Sequence, residues 1–233
     1  MIRHIFLGLT VLLVSSTAVA QKLNREKKAI IASVEAHQDA LIAISDSIWA
    51  LAETAFEEHE SSRILADYAE AQGLTVERGV AGIPTAFVAT YGSGSPVISV
   101  LGEFDALPGI SQKASPVKEP LNAGAAGHGC GHNLFGAASL GAAIAIKEQI
   151  EAGTLKGTVK FIGTPSEEMF FGKIWMIKEG IWDGVDVNVS WHPGATTEAD
   201  VQSTLALVDF KVEFFGQTAH ASSDPWNGRS ASD

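Results

Sequence analysis

The sequence predicts an α/β fold, a mostly parallel sheet with flanking helices. Two observations carry that prediction. Short apolar runs alternate with stretches of helical period in the order strand, helix, strand, helix, strand. The run at residues 97–101 is nearly continuous in apolar side chains, as in a strand covered on both faces.

Residues 1–20 precede that pattern and read as a leader. One early cation, Arg3, is followed by an apolar stretch from Ile5 to Val14 and then by small residues ending Ala18-Val19-Ala20. This is the order of a secretory signal with a cleavage site of the A-x-A kind, and its apolar core is short of the ~20 residues of a spanning helix. The expectation is an exported protein, periplasmic or secreted, starting near Gln21 and not held in a membrane after cleavage.

Residues 22–53 carry Ile30, Ile31, Val34, Leu41, Ile44, Ile48 and Leu51 at helical spacing. Residues 58–72 form a second predicted helix, stopped by Gly73. Strands are predicted at 74–78, 85–91, 97–101 and 158–163, and a further buried strand at 187–191. A long Pro-, Gly-, Ala- and Ser-rich loop covers residues 107–130, a length usually tied to function. A small-residue helix follows from His132, closed by Gly153, and residues 172–179 are predicted helical. Residues 21–202 make up this α/β part. From Ser203 an alternating extended run, STLALVDFKVEFFGQ, predicts the start of a separate antiparallel layer over residues 203–233. With no terminating pattern before Asp233, the chain reads as the N-terminal piece of a longer protein.

Formal net charge is -11 over 233 residues. No basic patch can offset such a field, which argues against a nucleic-acid partner. Cys130 is the single cysteine, so it has no internal disulfide partner.

In open α/β sheets, ligands sit beyond the carboxyl ends of strands. There the sequence sets Glu103 and Asp105, Glu167 and Glu168, and His192, with Cys130 and His132 where the long loop enters a helix. Each has an ordinary structural reading by itself: a buried thiol, solvated paired acids, a satisfied histidine, a turn-capping aspartate. Their coincidence at strand ends points to a metal. Sulfur, nitrogen and oxygen donors of this kind suit zinc, with manganese and cobalt as alternatives. Gly127, Gly129 and Gly131 let the backbone fold closely around such an ion.

Five ordered motifs, GEFDALPG, GHGCGHN, GTPSEE, SWHPG and FFGQTAHA, resemble the M20 metallopeptidase and amidohydrolase family, in particular the amidohydrolase branch that includes the p-aminobenzoyl-glutamate hydrolases. The resemblance covers residues 22–233. It implies two divalent metal ions in a catalytic α/β domain, and an inserted α+β domain beginning near residue 203 that mediates homodimerisation. It makes Cys130, His132, Glu168 and His192 metal ligands, Glu167 the general base, and Asp105 the residue that orients a ligand. His220 becomes the inserted-domain histidine that reaches the scissile carbonyl oxygen across a dimer. The implied reaction is hydrolysis of an amide bond in a small N-acyl amino acid, such as an aminobenzoyl-glutamate-type substrate.

There are departures. The family's further histidine ligand lies beyond Asp233, Glu103 stands where many members have histidine, and Met169-Phe170-Phe171 replaces a glycine-rich stretch. The export leader also departs from the cytoplasmic setting of the resembling hydrolases. Alternatives are a dipeptidase or aminoacylase of the same family, a thiol hydrolase using Cys130 and a histidine, and a non-catalytic periplasmic binding relative.

Overall fold

The computed structural model describes residues 23–199, 203, 205–208 and 210–232. The predicted leader at 1–20 lies outside them. Among the described residues no helix is long and apolar enough to cross a membrane. The chain divides into two compact units, Met1–Gly194 and Ala195–Asp233.

The first unit opens with α1 (Arg25–Ala36) and α2 (Gln38–Leu51), where the sequence predicts one continuous helical stretch. The break falls at His37, whose ring is tied to the Tyr68 hydroxyl at 2.8 Å and the Glu148 carboxylate at 3.0 Å. The backbone stays near-helical there, with the His37 N–H on the Ser33 carbonyl at 3.2 Å and the Leu41 N–H on the His37 carbonyl at 3.0 Å, so the interruption is slight. α3 (His59–Ala71) follows and ends before Gly73, which has the left-handed φ of 86° that a helix stop of this type needs.

Five strands form one sheet: β1 (Thr75–Arg78), β2 (Phe87–Ser93), β3 (Val97–Glu103), β4 (Gly157–Thr164) and β5 (Val187–Val189), in the order β1-β2-β4-β3-β5. β3 pairs in parallel with β4 and β5, while β2 is antiparallel to both β1 and β4. Four strands therefore run one way and β2 alone runs against them, so the sheet is mixed: its β4-β3-β5 half is parallel as predicted, and its β1-β2-β4 half is antiparallel. β4 shows the period of a two-faced strand. Its Val159 and Phe161 join Phe87, Ala89, Phe104, Leu140 and Ile144 in the larger core, whereas Ile162 joins Val80, Ile83, Val88 and Met176 in a second cluster.

The larger core is closed by α4 (His132–Glu151), a helix of small residues. It lies so close to β3 that a Cβ on Gly136 would stand 2.7 Å from the Glu103 carbonyl oxygen. α5 (Glu167–Phe170) and α6 (Gly172–Lys178) follow β4. The loop between β3 and α4 returns on itself, because Leu107 and Gly127 exchange both backbone hydrogen bonds at 3.0 Å. That closure brings residues 128–132 back to the carboxyl end of β3.

One expectation is corrected. The strand predicted as buried at 187–191 is reduced to β5, an edge strand paired only to β3, with Val187 52% and Val189 50% exposed. In the second unit, the alternating run after Ser203 forms no strand among its described residues. Phe210, Phe214 and Phe215 are exposed, and the one pairing among the described residues is the bridge between Gln217 and Arg229. Alternation stabilises a strand only against a partner, and no described segment supplies one here.

The close passage of α4 over β3 yields a test. Gly136→Ala forces a backbone shift, and overpacking of this kind costs about 1–3 kcal/mol. The urea midpoint should fall with the slope unchanged, and an unaltered midpoint would mean that the helix is not held against β3 as described.

Candidate metal centre

The site is built where three parallel strands end and α4 begins. β3 delivers Glu103 as its last residue and Asp105 two positions on. The loop delivers Cys130, and α4 starts at His132. β4 leads through Pro165-Ser166 into α5, which opens on Glu167 and Glu168. Beyond β5 comes His192. Gly131 joins loop to helix with a φ of 85°, and a Cβ there would also stand 2.9 Å from Pro193. Only glycine meets both demands.

His132 is the centre of the cluster and is fully buried. Its Nδ1 lies 2.9 Å from Asp105 Oδ1, and Asp105 is itself buried. A carboxylate facing Nδ1 holds the proton there, so that loss of the second ring proton on metal binding frees the Nε2 lone pair. Nε2 is 2.9 Å from Glu103 Oε2 but poorly aligned with it, and has no hydrogen-bond partner among the described residues. Asp105 Oδ2 accepts the Glu168 backbone N–H at 2.9 Å, so one carboxylate orients two site residues. Glu168 Oε1 is 3.9 Å from His132 Nδ1, buried, and likewise without a hydrogen-bond partner among the described residues.

Cys130 Sγ sits 3.3 Å from His192 Nε2, while His192 Nδ1 donates to the Pro193 carbonyl at 3.0 Å. The second contact again frees Nε2. The rings of His132 and His192 are edge to face, with centroids 5.6 Å apart. Donor atoms of Cys130, His132 and His192 lie within 4.8 Å of one another, and so do those of Glu103, His132 and Glu167.

Electrostatics follow from burial and crowding. Burial alone would push the His132 imidazole down, but Asp105 and Glu103 beside it raise it to about 10. Burial and the nearby charge of Glu168 push the Cys130 thiol up to about 11. Burial raises the Glu168 carboxyl. Burial would raise Glu103 too, yet His132 and the Lys173 ammonium outweigh it and hold that carboxyl below its ordinary value. Such an excess of negative groups around two orphaned donor atoms is what a divalent cation relieves. The residues present fit a metal.

Of the predicted site residues, Asp105, Cys130, His132, Glu167, Glu168 and His192 all belong to this cluster. His220 belongs to the second unit, where its Nδ1 accepts the backbone N–H groups of Ser222 at 3.2 Å and Ser223 at 3.1 Å. Two donors on Nδ1 place its proton on Nε2. Glu103, one of the strand-end candidates, is packed against His132. Two participants have no role assigned from sequence: Lys173 pairs with Glu103, and Glu58 is fully buried and accepts the Ser166 backbone N–H. Burial pushes Glu58 up to about 7, against its backbone hydrogen bonds and with help from the charge of Asp105. Lysine on a helix and glutamate in an acidic run both read as surface residues, so no sequence signal singles them out.

The model of peptidase family M20/M25/M40 matches residues 100–229. The chain is 45% identical over 202 residues to a component of the p-aminobenzoyl-glutamate hydrolase of Escherichia coli, covering 86% of this chain and 42% of that protein. It is 31% identical to the Xaa-Arg dipeptidase of Mus musculus, covering 93% of this chain and 49% of that protein. The chain thus spans about half the length of the curated relatives it matches. Among solved structures, a dinuclear metal-binding M20 peptidase from Bacillus subtilis superposes with a TM-score of 0.57 at 27% identity, over 66% of this chain and 42% of that one. An aminobenzoyl-glutamate utilization protein from Klebsiella pneumoniae has the same fold, with a TM-score of 0.60 at 17% identity, over 87% of this chain and 56% of that one.

The raised imidazole and thiol carry a consequence for metal loading. Without metal both hold their protons at neutral pH, and ligation must displace them. Calorimetric titration with zinc at pH 7 should show heats that depend on the buffer's ionisation enthalpy, and an affinity that rises with pH. Buffer-independent heats would contradict the ligand set.

Proposed function

The chain belongs to peptidase family M20/M25/M40, and on that premise we propose that the full-length protein is a metal-dependent amidohydrolase acting on a small N-acyl amino acid. The observation that carries this is the pair of buried, unpartnered donor atoms, His132 Nε2 and Glu168 Oε1, beside the Cys130 and His192 donors. Sulfur, nitrogen and oxygen together favour zinc. A bound metal pair would supply Lewis acidity and a water of lowered pKa.

The chain's own groups divide the remaining work. Cys130, His132, Glu168 and His192 would hold the metal, and Asp105 sets the His132 tautomer while its second oxygen accepts the Glu168 backbone N–H. Glu167, whose carboxylate lies with Glu103 and His132, takes the proton of the attacking water and passes it to the leaving nitrogen. By the resemblance, His220 of a paired copy would donate to the carbonyl oxygen as negative charge develops, and its Nδ1, engaged by two backbone N–H groups, leaves Nε2 to carry the proton. The resemblance to the p-aminobenzoyl-glutamate hydrolase component favours an aryl-acylated amino acid as substrate. We assign residues 203–233 to the start of a domain that pairs two copies of the chain, and the leader to export.

One contact favours a second reading, the 3.3 Å approach of Cys130 to His192, which resembles a thiol nucleophile and its base. The thiol's surroundings oppose it. Reactive cysteines sit in electropositive sites that lower their pKa, whereas burial and the carboxylates of Glu168, Glu167 and Glu103 raise this one.

Substitutions in the full-length protein separate the roles. Glu167→Ala should retain both metals and lose about 10²–10⁴ in kcat, the usual worth of a general base. Glu168→Ala should lose metal as well as activity. Full activity in the first variant would remove the base assignment. Chelation should abolish hydrolysis of an amide panel and added zinc restore it; insensitivity to chelator with loss on alkylation would favour the thiol reading.

A further inference from the structure

Glu58 takes no part in the chemistry above, yet its side chain is fully buried. Buried carboxylates are rare unless their oxygens are engaged. Glu58 Oε1 accepts the Ser166 backbone N–H at 2.8 Å, and Oε2 accepts the Thr85 hydroxyl at 3.2 Å. Ser166 is the elbow between β4 and α5, the residue just before Glu167.

That elbow is strained. Ser166 has φ 58° and Phe171, on the other side of α5, has φ 54°, a region that side chains other than glycine and asparagine seldom occupy. Such a conformation persists only where its surroundings over-determine it. The Ser166 carbonyl accepts the Gly172 N–H at 3.2 Å, closing a loop around α5, and a Cβ at Gly172 would stand 2.2 Å from the Pro165 carbonyl oxygen. On one side of Glu167, Glu58 grips the Ser166 amide; on the other, Asp105 grips the Glu168 amide at 2.9 Å. α5 is only four residues long and has no side-chain cap at its own N-terminus. Two buried carboxylates thus accept the backbone amides on either side of Glu167.

We propose that Glu58 is a positioning residue, a buried carboxylate clamp on the Ser166 amide that holds the β4–α5 elbow so that Glu167 faces the metal centre. The proposal rests on the amidohydrolase reading for its kinetic consequence and on the Glu58–Ser166 contact alone for its structural one. What the clamp needs is an acceptor of the right reach, not volume and not charge.

Three variants of the full-length, metal-loaded protein test it. Glu58→Gln keeps an acceptor at the same reach and should stay within about threefold of wild type. Glu58→Met keeps volume without an acceptor, and Glu58→Asp keeps charge without the reach. Both should lower kcat by about 10- to 100-fold, the scale of a slightly misplaced catalytic group. KM and the metal content should be nearly unchanged. In the same two variants the Ser166 amide should exchange with deuterium at least about tenfold faster, by the loss of its acceptor. The clamp is refuted if Met and Asp match wild type in exchange, or if exchange rises and kcat does not fall. Should neither variant fold, the wild-type Ser166 amide decides: strong protection upholds the contact and free exchange overturns it. If wild type hydrolyses no amide while the exchange pattern holds, the clamp stands and the hydrolase reading falls.

Discussion

The contact between His132 and Asp105 is the constraint on which the remainder of the site depends. Both side chains are buried, and neither could be buried alone without a large desolvation cost. Paired at 2.9 Å, they fix which imidazole nitrogen keeps its proton and therefore which one faces the cluster. The second oxygen of Asp105 then ties α5 to the end of β3 through the Glu168 amide. A single carboxylate thus sets a ring tautomer and the height of a neighbouring helix. Neutralising it would leave a buried imidazole beside Glu103 with no reason to present Nε2.

The sheet makes that contact available. Glu103 ends β3 opposite Thr164 of β4, so the two parallel strands finish level and their following residues meet. The approach of α4 at Gly136 lets His132 enter at the same height. The end of β3 supplies Glu103 and Asp105, buried carboxylates that cannot turn into the core below, which is closed by Phe87, Phe104, Phe135 and Phe161. Close packing in the core and excess negative charge at its rim are two sides of one arrangement. The rim is unfavourable by itself and favourable around a cation.

Much of this is legible in the residues. Polar groups directly after apolar runs mark the strand ends, and the five motifs mark which of them act together. The parallel pairing of β3 with β4 and β5 follows from alternation of period, whereas the antiparallel β1-β2-β4 edge does not. What escapes the sequence is what tertiary contact decides. Glu58 looks like one more acid in the run Glu57-Glu58, and only the elbow at Ser166 turns it inward. Lys173 reads as a solvated helix lysine until its pairing with Glu103 is seen. The contacts of His37 with Tyr68 and Glu148, side chains far along the chain, are likewise invisible in the sequence. The apolar residues of β5 and of the run after Ser203 suggest burial, but periodicity states only what a segment is able to bury, not what lies against it.

X-ray absorption at the zinc edge of the loaded full-length protein is the most direct test of the centre. A mixed shell is predicted, with nitrogen and oxygen near 2.0–2.1 Å and a sulfur contribution at about 2.3 Å that disappears in Cys130→Ser. A shell without sulfur, or one unchanged by that substitution, would contradict the account.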